Sequence, residues 1–389
     1  MIPEPTVTVR TGEGRSKLRL FSDVASRVAD PHLSRAVALA ARALGHTAPN
    51  PLVGCVVVRD GQIVGEGYHP RAGEPHAEVF ALAHAGASAQ GADVYVTLEP
   101  CRHHGRTPPC VDAVIASGAS SVVIGMLDPS PEAGGGVSAL RHAGLTVKIA
   151  EDPTPFQELN AGWLMRLAVG RPRVTVKLAL TLDGRVAFSP GQRAAITGPS
   201  GATVTRRLRA MVDAVLVGAR TVHSDDPALT VRDELGSLAE HQPLRVVLSR
   251  STVPGADSKV FSDGSAPTLF ISGPDADRGR LGALPDDVIV EGASSLSGAL
   301  DLLGTRGVND VLIEPGAELF SALWREGLVD ELVTVTAGGM GGSSGLGCFD
   351  GDVEHENNAL IRRFSPVEAG IVGDVSVVVW RPSASIPSS

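Results

Sequence analysis

The order Pro75-His76-Ala77-Glu78, then Glu99-Pro100-Cys101, then Cys110 constrains this chain more than any other stretch. One imidazole, two thiolates and a nearby carboxylate are what a water-activating zinc site needs, so distant segments have to meet around one ion. With His76, Cys101 and Cys110 as ligands the fourth metal position stays open, and Glu78 is placed to take a proton from water and return it to a leaving nitrogen. That chemistry is hydrolytic deamination of a nucleobase-like ring. The ligand groups fall where helices are expected to begin, so the helix dipoles should favour thiolates at Cys101 and Cys110 and an ionised Glu78. The bland alternative makes His76 a cap, Glu78 a solvated charge and the cysteines small core residues, and it leaves the order of the motif unexplained. His104 is left out of the ligand set, because a closed site would lose the open position.

Around these residues the hydrophobic pattern alternates. Asp30 as N-cap and Pro31 at the first helical position open a helix that runs to Gly45. Strands at 53–58 and 63–67 flank the Asp60-Gly61 turn, followed by helix 76–85, strand 93–98, helix 109–117, strand 121–125, helix 137–143 and strand 145–149. After Asp152-Pro153-Thr154-Pro155 a single connecting helix is expected over 156–167. A second α/β pattern has strands at 174–180, 214–217, 245–248, 268–271, 288–290, 310–313, 332–336 and 375–380, and helices at 199–211, 295–303 and 317–326. The fold class is therefore α/β in two parts. The expected division is an extension at 1–28, a metal-dependent domain at 29–152, a linker at 153–172, a second domain at 173–382 and a tail at 383–389.

Two domains also suit a length of 389 residues. A formal net charge of -9 argues against nucleic acid and for a small-molecule substrate. The apolar runs are too short to span a membrane and the N-terminus lacks a secretory pattern, which reads as cytoplasmic. Four cysteines make no disulfide framework: Cys55 belongs in an apolar strand, and Cys348 has no evident partner.

Eight residues, Arg102 to Pro109, separate Cys101 from Cys110, where the general zinc-deaminase signature has two. The stretch Glu99-Pro-Cys-Arg-His-His-Gly-Arg-Thr-Pro-Pro-Cys110, with His76-Ala-Glu-Val and Pro49-Asn-Pro-Leu-Val-Gly-Cys55, resembles the deaminase of riboflavin biosynthesis. Through Lys177-Leu-Ala-Leu-Thr-Leu-Asp-Gly-Arg185 and Asp225-Asp-Pro-Ala-Leu-Thr-Val-Arg232 the likeness extends to the bifunctional deaminase/reductases of the RibD type, over roughly residues 30 to 382. The resemblance implies a cytidine-deaminase-like sandwich followed by a dihydrofolate-reductase-like domain. It implies zinc-dependent loss of an amine from 2,5-diamino-6-(5-phosphoribosylamino)pyrimidin-4(3H)-one, then NADPH-dependent reduction of the ribosyl group of the product to ribityl; separately, a homo-oligomer is expected.

By the same resemblance Asn50, His69, His103 and Arg106 contact the deaminase substrate, with Arg106 favoured for the phosphate. Ala179, Thr221, Asp225, Ser249 and the run Gly316, Ala317, Glu318, Leu319, Phe320, Ser321, Ala322 line NADPH, and Arg209, Leu229, Arg232 and Glu314 face the reductase substrate. No Gly-x-Gly-x-x-Gly opens a helix after the strand at 174, so the cofactor phosphates are expected at the helix that follows Glu314-Pro-Gly316. Arg250 is open between a contact to the cofactor 2'-phosphate and a plain surface charge. The chain departs from the family where a Ser-x-Trp-Ile-Thr pattern is usual and Arg193-Ala194-Ala195-Ile196-Thr197 stands instead. A competing reading therefore keeps the deaminase and reduces the second domain to nucleotide binding or assembly.

Overall fold

A computed structural model describes residues 24–103, 108–131, 133–188, 195–233, 235–350 and 364–383. Asp30 caps the first helix, α1 (Pro31–Ala40), by accepting from the amides of His32 and Leu33, with Pro31 in the first turn. Next come β1 (Gly54–Arg59), β2 (Gln62–Tyr68), α2 (Ala77–Ala85), β3 (Asp93–Leu98), α3 (Cys110–Ala116), β4 (Ser121–Met126), α4 (Gly136–His142) and β5 (Thr146–Ile149). They build a five-stranded sheet in the order β2-β1-β3-β4-β5, antiparallel across β1 and parallel from β3 to β5. One face is covered by α2, α3 and α4 through Ala77, Ala81, Val111, Val114 and Leu140; the other meets α1 through Leu33, Val37 and Ala40.

The expected single helix over 156–167 is two: α5 (Thr154–Leu159) and α6 (Ala161–Val169). Asn160 breaks it, because its carboxamide accepts from the Leu52 amide at 2.7 Å and donates to the Leu52 carbonyl at 3.0 Å. Phe156, Leu159 and Trp163 pack this connection onto the first sheet.

Beyond it run β6 (Arg173–Leu180), β7 (Arg185–Ala187), α7 (Gly198–Arg209), β8 (Ala214–Gly218), α8 (Ala219–Asp225), β9 (Leu244–Ser249), α9 (Lys259–Ser262), β10 (Thr268–Ser272), α10 (Arg278–Leu281), β11 (Val288–Gly292), α11 (Leu296–Thr305), β12 (Asp310–Ile313), α12 (Ala317–Glu326), β13 (Glu331–Ala337), β14 (Leu346–Gly347), β15 (Phe364–Val372) and β16 (Val375–Pro382). The second sheet has the order β11-β10-β9-β8-β12-β6-β13-β16-β15. Its first seven strands are parallel and the last two form an antiparallel hairpin. Helices α7 and α8 cover one face through Val204, Leu208 and Val222, and α11 and α12 the other through Leu300, Leu303, Phe320 and Leu323. Both sheets are of the expected α/β class. In such sheets ligands gather outside the carboxyl ends of parallel strands, which directs attention to the residues after β3, β6, β8, β9 and β12.

Candidate active sites

Helix α2 approaches β2 so closely that a Cβ on Gly65 would lie 2.2 Å from the Ala81 carbonyl oxygen, and one on Gly67 2.5 Å from that of Ala77. That approach sets His76, the N-cap of α2, and Glu78 in its first turn over the end of β3, where Cys101 follows. Cys110 begins α3. Glu99 anchors the segment before Cys101: its buried carboxylate accepts from the amides of Asp128, Gly135 and Val137.

His76 Nδ1 lies 3.1 Å from Cys110 Sγ and 3.5 Å from Cys101 Sγ, and the three ligand atoms fall within 4.8 Å of one another. Tetrahedral zinc with ordinary Zn–S and Zn–N bonds needs S···N edges of roughly 3.6 Å, so the trio fits that ion. Glu78 is 3% exposed, and its Oε2 has no hydrogen-bond partner among the described residues. A buried carboxylate oxygen without a partner is costly unless something else is meant to bind there. The donor set and this orphaned oxygen together fit a catalytic zinc site with its water.

The electrostatics differ from the sequence expectation in two respects. Burial raises the Glu78 carboxyl above its ordinary value, against the opposing pull of its own amide and of His76. The two thiols are shifted in opposite directions: the hydrogen bond from the Cys110 thiol holds Cys101 down at about 4, and donating that bond, together with burial, pushes Cys110 up. A divalent cation would complete the second deprotonation.

His69 is 2% exposed and lies edge-on to His76 at 5.3 Å. Burial lowers its pKa, against the hydrogen bond to the Pro75 carbonyl, which raises it. Nδ1–H donates to the Pro75 carbonyl at 3.0 Å, and Nε2 then accepts from Asn50 Nδ2 at 3.0 Å. The structure thus brings Asn50 and His69 to the His76 end of α2. His103 is exposed on the loop after Cys101. Arg106 and His104 lie outside the described residues.

In the second sheet, Arg209 ends α7 and Glu314 follows β12. They pair through Nε and Nη2 at 2.6 and 3.1 Å, while Arg209 Nη1 donates to the Thr230 carbonyl at 3.3 Å. Burial pushes the Glu314 carboxyl up, but Arg209 and Lys177 outweigh it and hold it below the usual range. Lys177, on β6, is itself lowered by burial. The sequence reading quoted Lys177 as the start of a motif but gave it no role; its signal was a lysine between the apolar Val176 and Leu178, two residues before Ala179.

Gly316 is the N-cap of α12 and among the described residues no side chain caps that helix, which leaves the amides of its first turn, Ala317, Glu318 and Leu319, without an intrahelical partner. Thr221 is its neighbour from α8: a Cβ on Gly316 would lie 3.7 Å from Thr221 Oγ1. Glu318 accepts from Arg220 at 2.9 Å, with Arg250 3.7 Å away. Ala179 and Ser249 are at the carboxyl ends of β6 and β9, and Asp225 closes α8.

The structure narrows some expected contacts. Phe320 and Ser321 are 2% and 3% exposed, and the Phe320 amide is already bonded to the Gly316 carbonyl, so within 316–322 the free donors are at the start. Leu229 has φ 53 and is 1% exposed, with its side chain in the core. Arg232 is exposed, its Nη1 on the Gly236 carbonyl at 2.7 Å. Ala195 is exposed just before α7, where the related pattern carries Trp.

Residues 27–126 match the family model of the cytidine and deoxycytidylate deaminase zinc-binding region, and residues 172–363 that of the RibD C-terminal domain. The riboflavin biosynthesis protein RibD of Escherichia coli is 43% identical over 333 residues, 81% of this chain and 89% of that protein. Its counterpart in Aquifex aeolicus is 40% identical over 79% of this chain and 86% of its own. Among solved structures, Acinetobacter baumannii RibD superposes with a TM-score of 0.83 at 37% identity, over 94% of this chain and all of that one. A Thermotoga maritima diaminohydroxyphosphoribosylaminopyrimidine deaminase/5-amino-6-(5-phosphoribosylamino)uracil reductase gives 0.79 at 34% identity, over 91% of this chain and 98% of that one.

Proposed function

The chain belongs to the RibD family, and from that membership we propose how its two clusters divide a pair of reactions. It is a bifunctional deaminase and reductase of riboflavin biosynthesis that uses zinc and NADPH. Residues 29–152 are assigned to deamination, 173–382 to reduction and 153–172 to the connection, with 1–28 and 383–389 outside both.

In the first reaction the diaminopyrimidine loses its 2-amine as ammonia and gains an oxygen from water. Zinc, when bound by His76, Cys101 and Cys110, supplies the Lewis acidity that makes water nucleophilic near neutral pH. Glu78 takes a proton from that water and passes it to the departing nitrogen; a carboxyl raised by burial is suited to both halves of the transfer. Neutral His69 fixes the Asn50 carboxamide by accepting from its nitrogen, which leaves the Asn50 side-chain oxygen for the pyrimidine. His103 and Arg106 are assigned to the outer part of the same substrate, Arg106 to its phosphate.

In the second reaction the ribosyl carbon gains a hydride and the ring oxygen gains a proton as the sugar opens to ribityl. NADPH, when bound, supplies the hydride. Ala179, Thr221, Asp225, Ser249 and the turn at Gly316 to Leu319 orient it, the free amides of α12 taking phosphate oxygens. Lys177, close to Glu314 and lowered by burial, is placed to hand over the proton. Arg209, Glu314 and Arg232 hold the phosphoribosyl end, and Leu229 contributes main chain only.

The observation that carries the first assignment is the Glu78 oxygen that has no partner among the described residues, beside three converging ligands. Purified protein with the diaminopyrimidine should release ammonia without NADPH and oxidise NADPH only after deamination. Ammonia release with no NADPH oxidation afterwards would leave the deaminase and remove the reductase. No helix among the described residues is long and apolar enough to cross a membrane. We place the protein in the cytoplasm, as a homo-oligomer acting on small phosphorylated pyrimidines.

A further inference from the structure

We infer that Asn309 of the reductase half, seated by Arg166, is a positioning residue for the deaminase pocket. The inference rests on the reading of Asn50 as a substrate contact. Asn309 directly precedes β12, yet its Nδ2 donates to the Asn50 carbonyl at 3.2 Å. Its Oδ1 accepts from Arg166 Nε at 2.7 Å, and Arg166 Nη2 donates to the Pro49 carbonyl at 2.7 Å. Two consecutive carbonyls of the segment that carries Asn50 are therefore held from outside the deaminase sheet.

Asn309 cannot easily shift. It is 5% exposed, its amide donates to Asp213 Oδ2 at 2.9 Å, and its carbonyl accepts from the Arg173 amide at 2.9 Å. The chain beside it is equally close: a Cβ on Gly307 would lie 2.9 Å from the Pro49 side chain. On the deaminase side, the Asn50 amide and carbonyl both return to Thr47, and among the described residues the Asn50 side chain is held by His69. A fixed backbone at 49–50 is what lets one side-chain rotamer meet His69 Nε2 and still present its oxygen. A site held to a fraction of an ångström by neighbouring residues loses binding when those neighbours loosen.

The chemistry at zinc and Glu78 does not pass through Asn309, so the effect should fall on KM rather than kcat. Steady-state ammonia release is measured with the full-length zinc-loaded protein for wild type, Asn309→Ala, Asn309→Asp and, as reference, Asn50→Ala. Losing one hydrogen bond to the segment should raise KM by about five- to tenfold with kcat within about twofold. Zinc content and the KM for reduction of supplied deaminated substrate should stay at wild-type values, while the melting temperature should drop by only a few degrees, as loss of a buried side chain's hydrogen bonds requires. Asn309→Asp separates positioning from packing, because a carboxylate keeps the Arg166 contact but cannot donate to the Asn50 carbonyl. It should behave like Asn309→Ala. If Asn309→Asp keeps the wild-type KM, or if kcat, zinc and melting temperature all fall together, Asn309 is only interface packing and the inference is overturned. An unchanged KM in Asn50→Ala removes Asn50 from the substrate, and the inference falls with it. A raised KM in Asn50→Ala but not in the Asn309 variants sinks the positioning role alone. Should either Asn309 variant fail to fold, Arg166→Met, which drops the bonds to Pro49 and Asn309 while keeping an apolar stem, carries the same test.

Discussion

Arg209 and Glu314 meet through two N–H···O bonds of 2.6 and 3.1 Å at the carboxyl end of the second sheet, with side chains only 15% and 17% exposed. Removing one partner leaves the other charge partly buried. Arg209→Met should cost about 3 kcal/mol, the low end for breaking such a pair, because Lys177 still compensates Glu314. The larger effect should be on reduction, with kcat/KM for NADPH oxidation down about 100-fold and ammonia release unaltered. Denaturant unfolding and the two assays on one preparation check this, and an equal loss of both activities would make the pair structural only.

The close seating of α2 on β2 gives a second outcome. Gly67→Ala would put a methyl 2.5 Å from both the Ala77 carbonyl oxygen and the Ala81 amide nitrogen, backbone atoms that can yield only if the helix moves. Such overpacking should cost about 2 kcal/mol or more and carry His76 and Glu78 away from the cysteines. Ammonia release and zinc content should drop together, while supplied deaminated substrate is still reduced.

How much of this was legible in the sequence depends on how local the cause is. Asp30-Pro31 announces α1 by itself, and His76, Glu78, Cys101 and Cys110 declare themselves through chemistry and order. Asn160, which splits the connecting helix, acts through Leu52, 108 residues away, so no local pattern could reveal it. Asn309 and Asp213 belong to no motif either, since each works through chain segments remote in sequence. The edge strand β15 went unpredicted because Pro366 and a bulge interrupt its alternation. Contacts carried over along the run 316–322 ignored that one helix face turns inward, which Phe320 and Ser321 do.

Metal removal should separate the two halves. Dialysis against a zinc chelator should abolish ammonia release and leave NADPH-dependent reduction of supplied deaminated substrate within about twofold, because the ligands His76, Cys101 and Cys110 all sit on the first sheet's loops and helices. Re-addition of zinc should restore ammonia release, whereas in Glu78→Gln it should restore metal content but leave turnover about 100-fold or more below wild type. Parallel loss of both reactions on chelation would mean that zinc holds the whole chain together.

Asp213 supplies a pH dependence that belongs to the fold rather than to catalysis. Burial, then the nearby charge of Asp310, raises its carboxyl to about 7, against the amides of Asn309 and Asp310 that donate to Oδ2 at 2.9 Å. The unfolded chain ionises it near 3.8, so between about pH 4 and pH 7 the folded protein binds the extra proton. Stability from this group is therefore complete at the acid end of that window and is lost as pH rises through 7, by at most roughly 4 kcal/mol. Asp213→Asn keeps a carbonyl-type acceptor for both amides and has no charge to bury. It should flatten the decline between pH 5 and pH 8 and leave the variant more stable than wild type at pH 8 by about 1 kcal/mol or more. Urea unfolding across that range measures it; a variant that loses stability at every pH would show that the ionised carboxylate, not its burial cost, is what this end of the sheet depends on.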